Sequence, residues 1–262
     1  MTAAAPTRPS ERAAVSWLGR RNPTVKVAVL LAVSLGSLGL FDPWPLVGLY
    51  LLGLAAVRLA GRIDGRTLLL GQLPFVLFGI GLVAVNALSR PGPSLLPDAP
   101  IRITAEGLTI GIALALRGLV IGVLTIGFLA STPPRDLMVS LMINARLSPR
   151  YAYAILAGHR MLHAMPARWA TIRAAHAVRG PVRRNGRPRF GPAAFTRAAF
   201  ALLVASIRSS ERIALALETR GLGDGSRTVW RPVPLDRRDA FLAVIVPVTF
   251  LLVVVAQRWL IA

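Results

Sequence analysis

The sequence predicts an all-α integral membrane protein with about five transmembrane helices and a cytoplasmic domain of long helices. Three observations carry that expectation. Apolar residues make up 54% of the 262-residue chain, and the mean hydropathy is +0.59. They gather into nearly uncharged runs of bilayer-crossing length, about 20 residues each. The arginines are gathered too, and they fall between alternate runs.

The first run, residues 25–59, is broken only at Phe41-Asp42-Pro43-Trp44-Pro45. That pentapeptide reads as a tight turn between two antiparallel spans, both somewhat short. Further runs cover residues 67–89, residues 107–131 with Arg117 inside, and residues 240–257. Orientation follows from the arginines, because cytoplasmic flanks retain Lys and Arg while translocated loops are depleted in them. Arg8, Arg12, Arg20, Arg21 and Lys26 flank the first run, and Arg58, Arg62 and Arg66 fill the loop after the second. Residues 132–238 hold 19 arginines against five acidic residues, whereas the turn at 41–45 has no basic residue and the loop at 90–106 has two. Five alternating spans put every arginine-rich segment on one side. The expected organisation is a cytoplasmic N-terminal segment 1–24, transmembrane helices in 25–131, a cytoplasmic domain 132–238 and a last transmembrane helix in 239–262. The expected location is the cell's inner (plasma) membrane, with the N-terminus cytoplasmic.

Several functions are excluded by what is missing. The formal charge of +20 comes without any nucleic-acid-binding module. Retention of cytoplasmic loops and attraction to anionic lipid account for it, so no nucleic-acid partner is expected. The absence of cysteine excludes disulfides and thiolate metal sites. Arg20-Arg21 before an apolar run resembles a twin-arginine export signal, but no clear cleavage pattern follows and the same residues serve topology. A phosphate-binding P-loop ends in Gly-Lys-Ser/Thr, and the single lysine, Lys26, follows Val25. His159 and His163 stand at helical i, i+4 spacing, but no carboxylate accompanies them and Arg160 lies between. No metal site, catalytic residue or cofactor is expected, and the chain does not read as an enzyme.

The basic domain reads as two long helices. Ser148-Pro149 opens the first, with Ser as N-cap and Pro at the first helical position. Ile155, Gly158, Leu162, Met165, Trp169, Ile172, His176 and Arg179 then recur at steps of three and four, drawing one stripe with a kink expected near Pro166. Gly180-Pro181 stops it, and a polar link follows over 182–192. The second helix carries Phe200, Leu203, Ile207, Ala214 and Leu217 at similar spacing. Both helices end alike, in Val178-Arg179-Gly180 and Thr219-Arg220-Gly221. Arginine favoured by the helix dipole and glycine in a left-handed cap explain one such ending. Two matched endings point towards a paired docking device.

Taken together, these residues resemble the transmembrane T component of energy-coupling-factor transporters, related to the cobalt-transport permease subunit. The resemblance runs from Asn22-Pro23-Thr24-Val25-Lys26, similar to the family's Asn-Pro-x-x-Lys, to residues 213–221. Between them, Thr104-Ala105-Glu106-Gly107, Arg117, Pro133-Pro134-Arg135-Asp136-Leu137 and Arg160 also look like the family. Its diagnostic pair of X-Arg-X motifs carries over to Arg179 and Arg220. Val178 and Thr219 stand where alanine is often found, and Leu217 where methionine is common.

The resemblance implies a scaffold that binds two cytoplasmic ATP-binding-cassette ATPase subunits through Val178, Arg179, Gly180, Thr219, Arg220 and Gly221. It also implies that the scaffold holds a membrane-embedded substrate-binding S component, for uptake of a vitamin or a transition-metal ion. Arg117 lies about 15 Å inside its span, where a charge suggests a role. A structural tie between helices and a contact to the substrate-binding subunit both suit it. The alternative function is a multi-pass membrane protein whose basic domain binds anionic lipid or another partner without ATP coupling.

Overall fold

Where the sequence places apolar runs, the chain is helical. The computed structural model describes residues 16–93, 95, 103–180, 190–222 and 231–261, and these contain eight α-helices and no β-strand. Arg8, Arg12 and the link at 182–189 lie outside the described residues. Helix α1, Pro23–Gly36, continues into a 3-10 turn, Ser37–Gly39. Next come α2, Pro43–Ala60, α3, Gly65–Ser89, and α4, Ala105–Ser131. Helix α5, Pro134–Asn144, precedes the long α6, Pro149–Val178, and α7, Pro192–Thr219, and α8, Arg237–Ile261, comes last.

Helix starts follow local chemistry. Asn22 caps α1 by accepting the Thr24 N–H at 3.0 Å, with Pro23 at the first helical position, where its missing N–H costs nothing. Thr104 caps α4 by accepting the Gly107 N–H at 3.3 Å. Pro43 opens α2 inside the expected turn: Pro43, Trp44 and Pro45 form its first turn, where proline's missing N–H costs nothing, and the break is shorter than 41–45. Four helices are long and apolar enough to cross a membrane: Pro43–Ala60, Gly65–Ser89, Ala105–Ser131 and Arg237–Ala256. The first of the five expected spans, Pro23–Gly39, is apolar but shorter.

The chain divides into two compact units. One comprises Met1–Ser140 with Val233–Ala262, and the other Leu141–Pro232. The boundaries fall inside the arginine-rich segment 132–238, because Thr132 and Ser140 bond to residues at the start of α1 and so belong with the apolar helices.

In the first unit α4 is central, packing along α3, α2 and α1, while α8 lies against α1 and α2. One buried cluster joins Val33, Leu46, Leu49, Ala113 and Val120, and a second joins Val57, Ile63, Leu68 and Val123. The outward face of α3 presents Leu69, Leu73, Leu77 and Phe78, all strongly exposed. In a bilayer that face needs no protein cover, since lipid tails are as apolar as leucine.

Helices α3 and α4 approach closely because α4 carries glycine at the contact. A Cβ on Gly111 would sit 2.8 Å from the Val83 Cα, which is backbone and cannot swing aside. Gly118, one face away, would meet nothing within 4 Å. Gly111→Leu is therefore expected to destabilise the protein by roughly 3 kcal/mol, the upper end for overpacking. Gly118→Ala should be neutral or slightly stabilising, as alanine is the better helix former. Melting temperatures in detergent test this, and equal effects at the two sites would refute the close approach.

The second unit holds α6 and α7. Along α6 the expected stripe is half right: Met165, Trp169, Ile172 and His176 are partly buried, whereas Ile155, Gly158 and Leu162 are exposed. On α7 the expected stripe is corrected. Leu217 is half-buried as expected, but Phe200, Leu203, Ile207 and Ala214 are exposed, and the buried positions are Ala198, Ser206 and Ser209. Small residues allow close approach to α6, and that outweighs the apolar periodicity on the other face. Helix α6 runs unbroken through Pro166.

Two capped helix ends and a buried polar root

Helix α6 ends with Val178 almost fully exposed and Arg179 at the C-cap with φ −94° and ψ −5°. The Gly180 N–H donates to the Ala177 carbonyl at 3.3 Å. Helix α7 ends with Arg220 at the C-cap, φ −86° and ψ 11°. Here Gly221 has φ +72°, its N–H donates to the Glu218 carbonyl at 2.8 Å, and the Leu222 N–H donates to the Leu217 carbonyl at 3.0 Å. That pair of bonds around a left-handed glycine is the Schellman closure. The two ends are thus alike in sequence but not in backbone: only Gly221 adopts the left-handed cap, and Gly180 does not. Both arginine side chains are exposed.

The helices bearing these ends meet where Arg168 donates to the Ser209 hydroxyl at 3.1 Å. Trp169 packs edge-on against Phe195, ring centroids 5.4 Å apart, and the Arg173 guanidinium lies over the Phe190 ring. Arg179 follows Arg168 by 11 residues, and Arg220 follows Ser209 by 11. Each arm from the shared contact to its arginine is therefore about 16 Å long. The covered faces repeat with the same 41-residue offset. Met161, Met165, Ile172 and His176 on α6 correspond to Leu202, Ser206, Ile213 and Leu217 on α7, all buried or half-buried. The repeat does not show in the large apolar residues, because serine stands at two of its covered positions, Ser206 and, opposite Arg168, Ser209.

His159 and His163 stack with centroids 4.3 Å apart, and the His163 Nδ1 lies 3.0 Å from the His159 carbonyl oxygen. Among the described residues no three His, Asp or Glu side chains gather as metal ligands.

A second cluster lies in the other unit, around the Asn-Pro-x-x-Lys segment. The Asn22 Oδ1 accepts from the Ser140 hydroxyl at 2.6 Å and from the Thr24 N–H, while its Nδ2 donates to the carbonyls of Val233 at 3.2 Å and Pro234 at 3.3 Å. The Asn22 N–H donates to the Asp239 Oδ1 at 3.0 Å, and the Asp236 N–H donates to the Asp239 Oδ2 at 2.9 Å. Arg21, 5% exposed, faces Asp239 at 3.7 Å and Asp236 at 3.6 Å, with its guanidinium over the Trp17 ring. Arg21 is thus a buried structural cation, not only a topology marker. Sequence reasoning missed Asp239 altogether, since nothing local ties it to a residue 217 positions earlier.

Two cations fasten α1 to α4, one at either end. The buried Lys26 ammonium donates to the Ser131 carbonyl, the Ser131 hydroxyl and the Thr132 hydroxyl at 3.0–3.3 Å, which satisfies all three of its hydrogens. Arg117 donates through Nη2 to the Leu40 carbonyl at 2.6 Å and the Leu38 carbonyl at 3.3 Å, and lies over the Phe41 ring. Backbone carbonyls at membrane depth need partners from within the protein, and the end of α1 obtains them from Arg117.

No curated protein matches the chain. The cobalt transport protein family CbiQ matches residues 14–229, most of the sequence and both helix-end motifs. The chain therefore belongs to the CbiQ family of cobalt transport proteins, the family of the transmembrane components of energy-coupling-factor transporters.

Proposed function

We propose that this chain is the scaffold and coupling subunit of an energy-coupling-factor importer for a vitamin or a transition-metal ion. Family membership makes it a membrane component of a transporter. The finer reading is that two cytoplasmic ATPases dock on the ends of α6 and α7, and that a separate membrane-embedded subunit captures the substrate. The observation that carries it is the pair of exposed arginines, each about 16 Å from one shared contact on helices with repeating buried faces. Two equal arms suit two ATPases that close symmetrically on ATP.

The chemistry follows from the guanidinium. It is planar and permanently charged, and it pairs bidentately with a carboxylate in a docking groove, which an ammonium cannot do. When ATP draws the ATPases together, the anchored ends move with them. The helices act as levers, and the work is the difference in ATPase affinity between the open and closed states. The chain itself supplies no hydrolytic chemistry.

The test is capture. The tagged chain, co-expressed with the ATPases and the substrate-binding subunit, is expected to retain both through purification; isolation without the ATPases would overturn the reading. Orientation is tested separately, because the chain has no native cysteine. With the N-terminus cytoplasmic, Ser94→Cys labels with an impermeant thiol reagent in intact cells and Asn185→Cys does not. Labelling of Asn185→Cys from outside would reverse the topology and remove the ATPases' access.

A further inference from the structure

The chain passes from the first unit into the second, which carries both arginine ends, after Ser140, and it returns at Val233. Asn22 holds both connections. The carboxamide oxygen accepts from the Ser140 hydroxyl on the outgoing side, and the nitrogen of the same group donates to the Val233 and Pro234 carbonyls on the returning side. The carboxamide is planar, so these three bonds fix the two connections against each other through one rigid group. Asn22 is itself fixed, its N–H on the buried Asp239 and its Oδ1 on the first turn of α1. Thr24 reinforces the outgoing side, with its hydroxyl 2.6 Å from that of Ser140.

We propose that Asn22 is a positioning residue for transmission: it clamps the outgoing and returning connections of the helix pair so that they move as one body. A load applied at Arg179 and Arg220 then reaches the membrane helices as a single displacement and is not dissipated as independent motion of the two connections. This rests on the coupling function proposed above, but the clamp itself does not. Capping alone does not require asparagine, since aspartate is an equally good N-cap. Only the amide can donate to Val233 and Pro234 while accepting from Ser140; a carboxylate would face two carbonyls with no hydrogen to give.

Asn22→Asp therefore separates clamp from cap, and Asn22→Ala removes both. Spin labels at Ile143→Cys and Arg231→Cys, one beyond each connection, report the clamp by pulsed dipolar spectroscopy on the purified full chain. The distance distribution is expected to broaden in Asn22→Asp although the variant folds, and an unchanged distribution would overturn the clamp. In vesicles containing the complete transporter, Asn22→Asp should keep ATP hydrolysis within about two-fold while uptake per ATP falls about ten-fold. A broadened distribution with unchanged coupling would leave the clamp but overturn its role in transmission. If the unaltered chain retained no ATPases, the coupling function would fail by itself, and the spin-label measurement would still decide the clamp.

Discussion

The double variant Arg179→Ala/Arg220→Ala is expected to lose both ATPases on purification, with uptake falling to background. If the proposed docking holds, with each guanidinium paired to a carboxylate in an acidic groove, its truncation leaves that carboxylate unpaired, a penalty of roughly 2 to 5 kcal/mol per site. Two grooves share the load, so single alanine variants should retain part of the complex and part of the uptake. Lysine at either position restores the charge but not the planar fork, and rescue should be partial. If the arginines serve only as helix C-caps, the pattern differs. Lysine then substitutes almost fully, and alanine costs about 1 kcal/mol or less, seen as lower stability with assembly intact. Capture of the ATPases and uptake, measured across the alanine, lysine and double variants, decides between the two. Normal assembly in the double alanine variant would end the coupling proposal.

Asp239→Ala should produce the largest loss of stability in the membrane-side unit. The Asp239 side chain is nearly inaccessible, accepts two backbone N–H groups, and faces the buried Arg21. Its removal strands that cation and two donors together, at a cost of roughly 3 to 5 kcal/mol. Asp236 is 59% exposed at its side chain and faces the same arginine from solvent, so Asp236→Ala should cost about 1 kcal/mol or less. Asp239→Asn should fall between, because an amide oxygen still accepts but carries no charge. Thermal unfolding in detergent gives the order directly. A mild Asp239→Ala with a severe Asp236→Ala would reverse the assignment of the buried partner.

How much of this was legible in advance depends on range. Contiguous apolar runs announce membrane helices because each run contains its own signal, and the boundary at Gly180 reads equally well, whereas the break expected at 41–45 is shorter because Pro43 to Pro45 start the next helix. The exposed Phe200, Leu203 and Ile207 show where periodicity misleads. With Ala198, Ser206 and Ser209 the most buried positions of that helix, these three large apolar residues lie on a surface the helix pair does not cover, and the pattern cannot say which face is which. The arginine ends were found from spacing, but the different closure of Gly180 and Gly221 was not, since φ at a glycine is set by the path of the chain beyond the helix. The root around Asn22 was legible only as a resemblance. Its partners Ser140, Val233 and Asp239 lie more than 100 residues away, and each is individually unremarked in sequence.

The contact between Arg117 and the carbonyls of Leu38 and Leu40 has a consequence for the surrounding lipid. Helix α1 and its turn, 14 and three residues, rise about 27 Å, less than the hydrocarbon thickness of about 30 Å, while the 27 residues of α4 rise about 40 Å. Lys26 sets the lower ends of the two helices level, so Arg117 marks where the shorter one stops, with about 18 Å of α4 still to run to Ala105. Hydrophobic mismatch of this kind is met by tilt or by local thinning, each at a fraction of a kcal/mol per ångström. The lipid beside α1 therefore meets a shorter helix than the lipid beside the exposed face of the 25-residue α3, and short acyl chains should gather beside α1 while long ones gather beside α3.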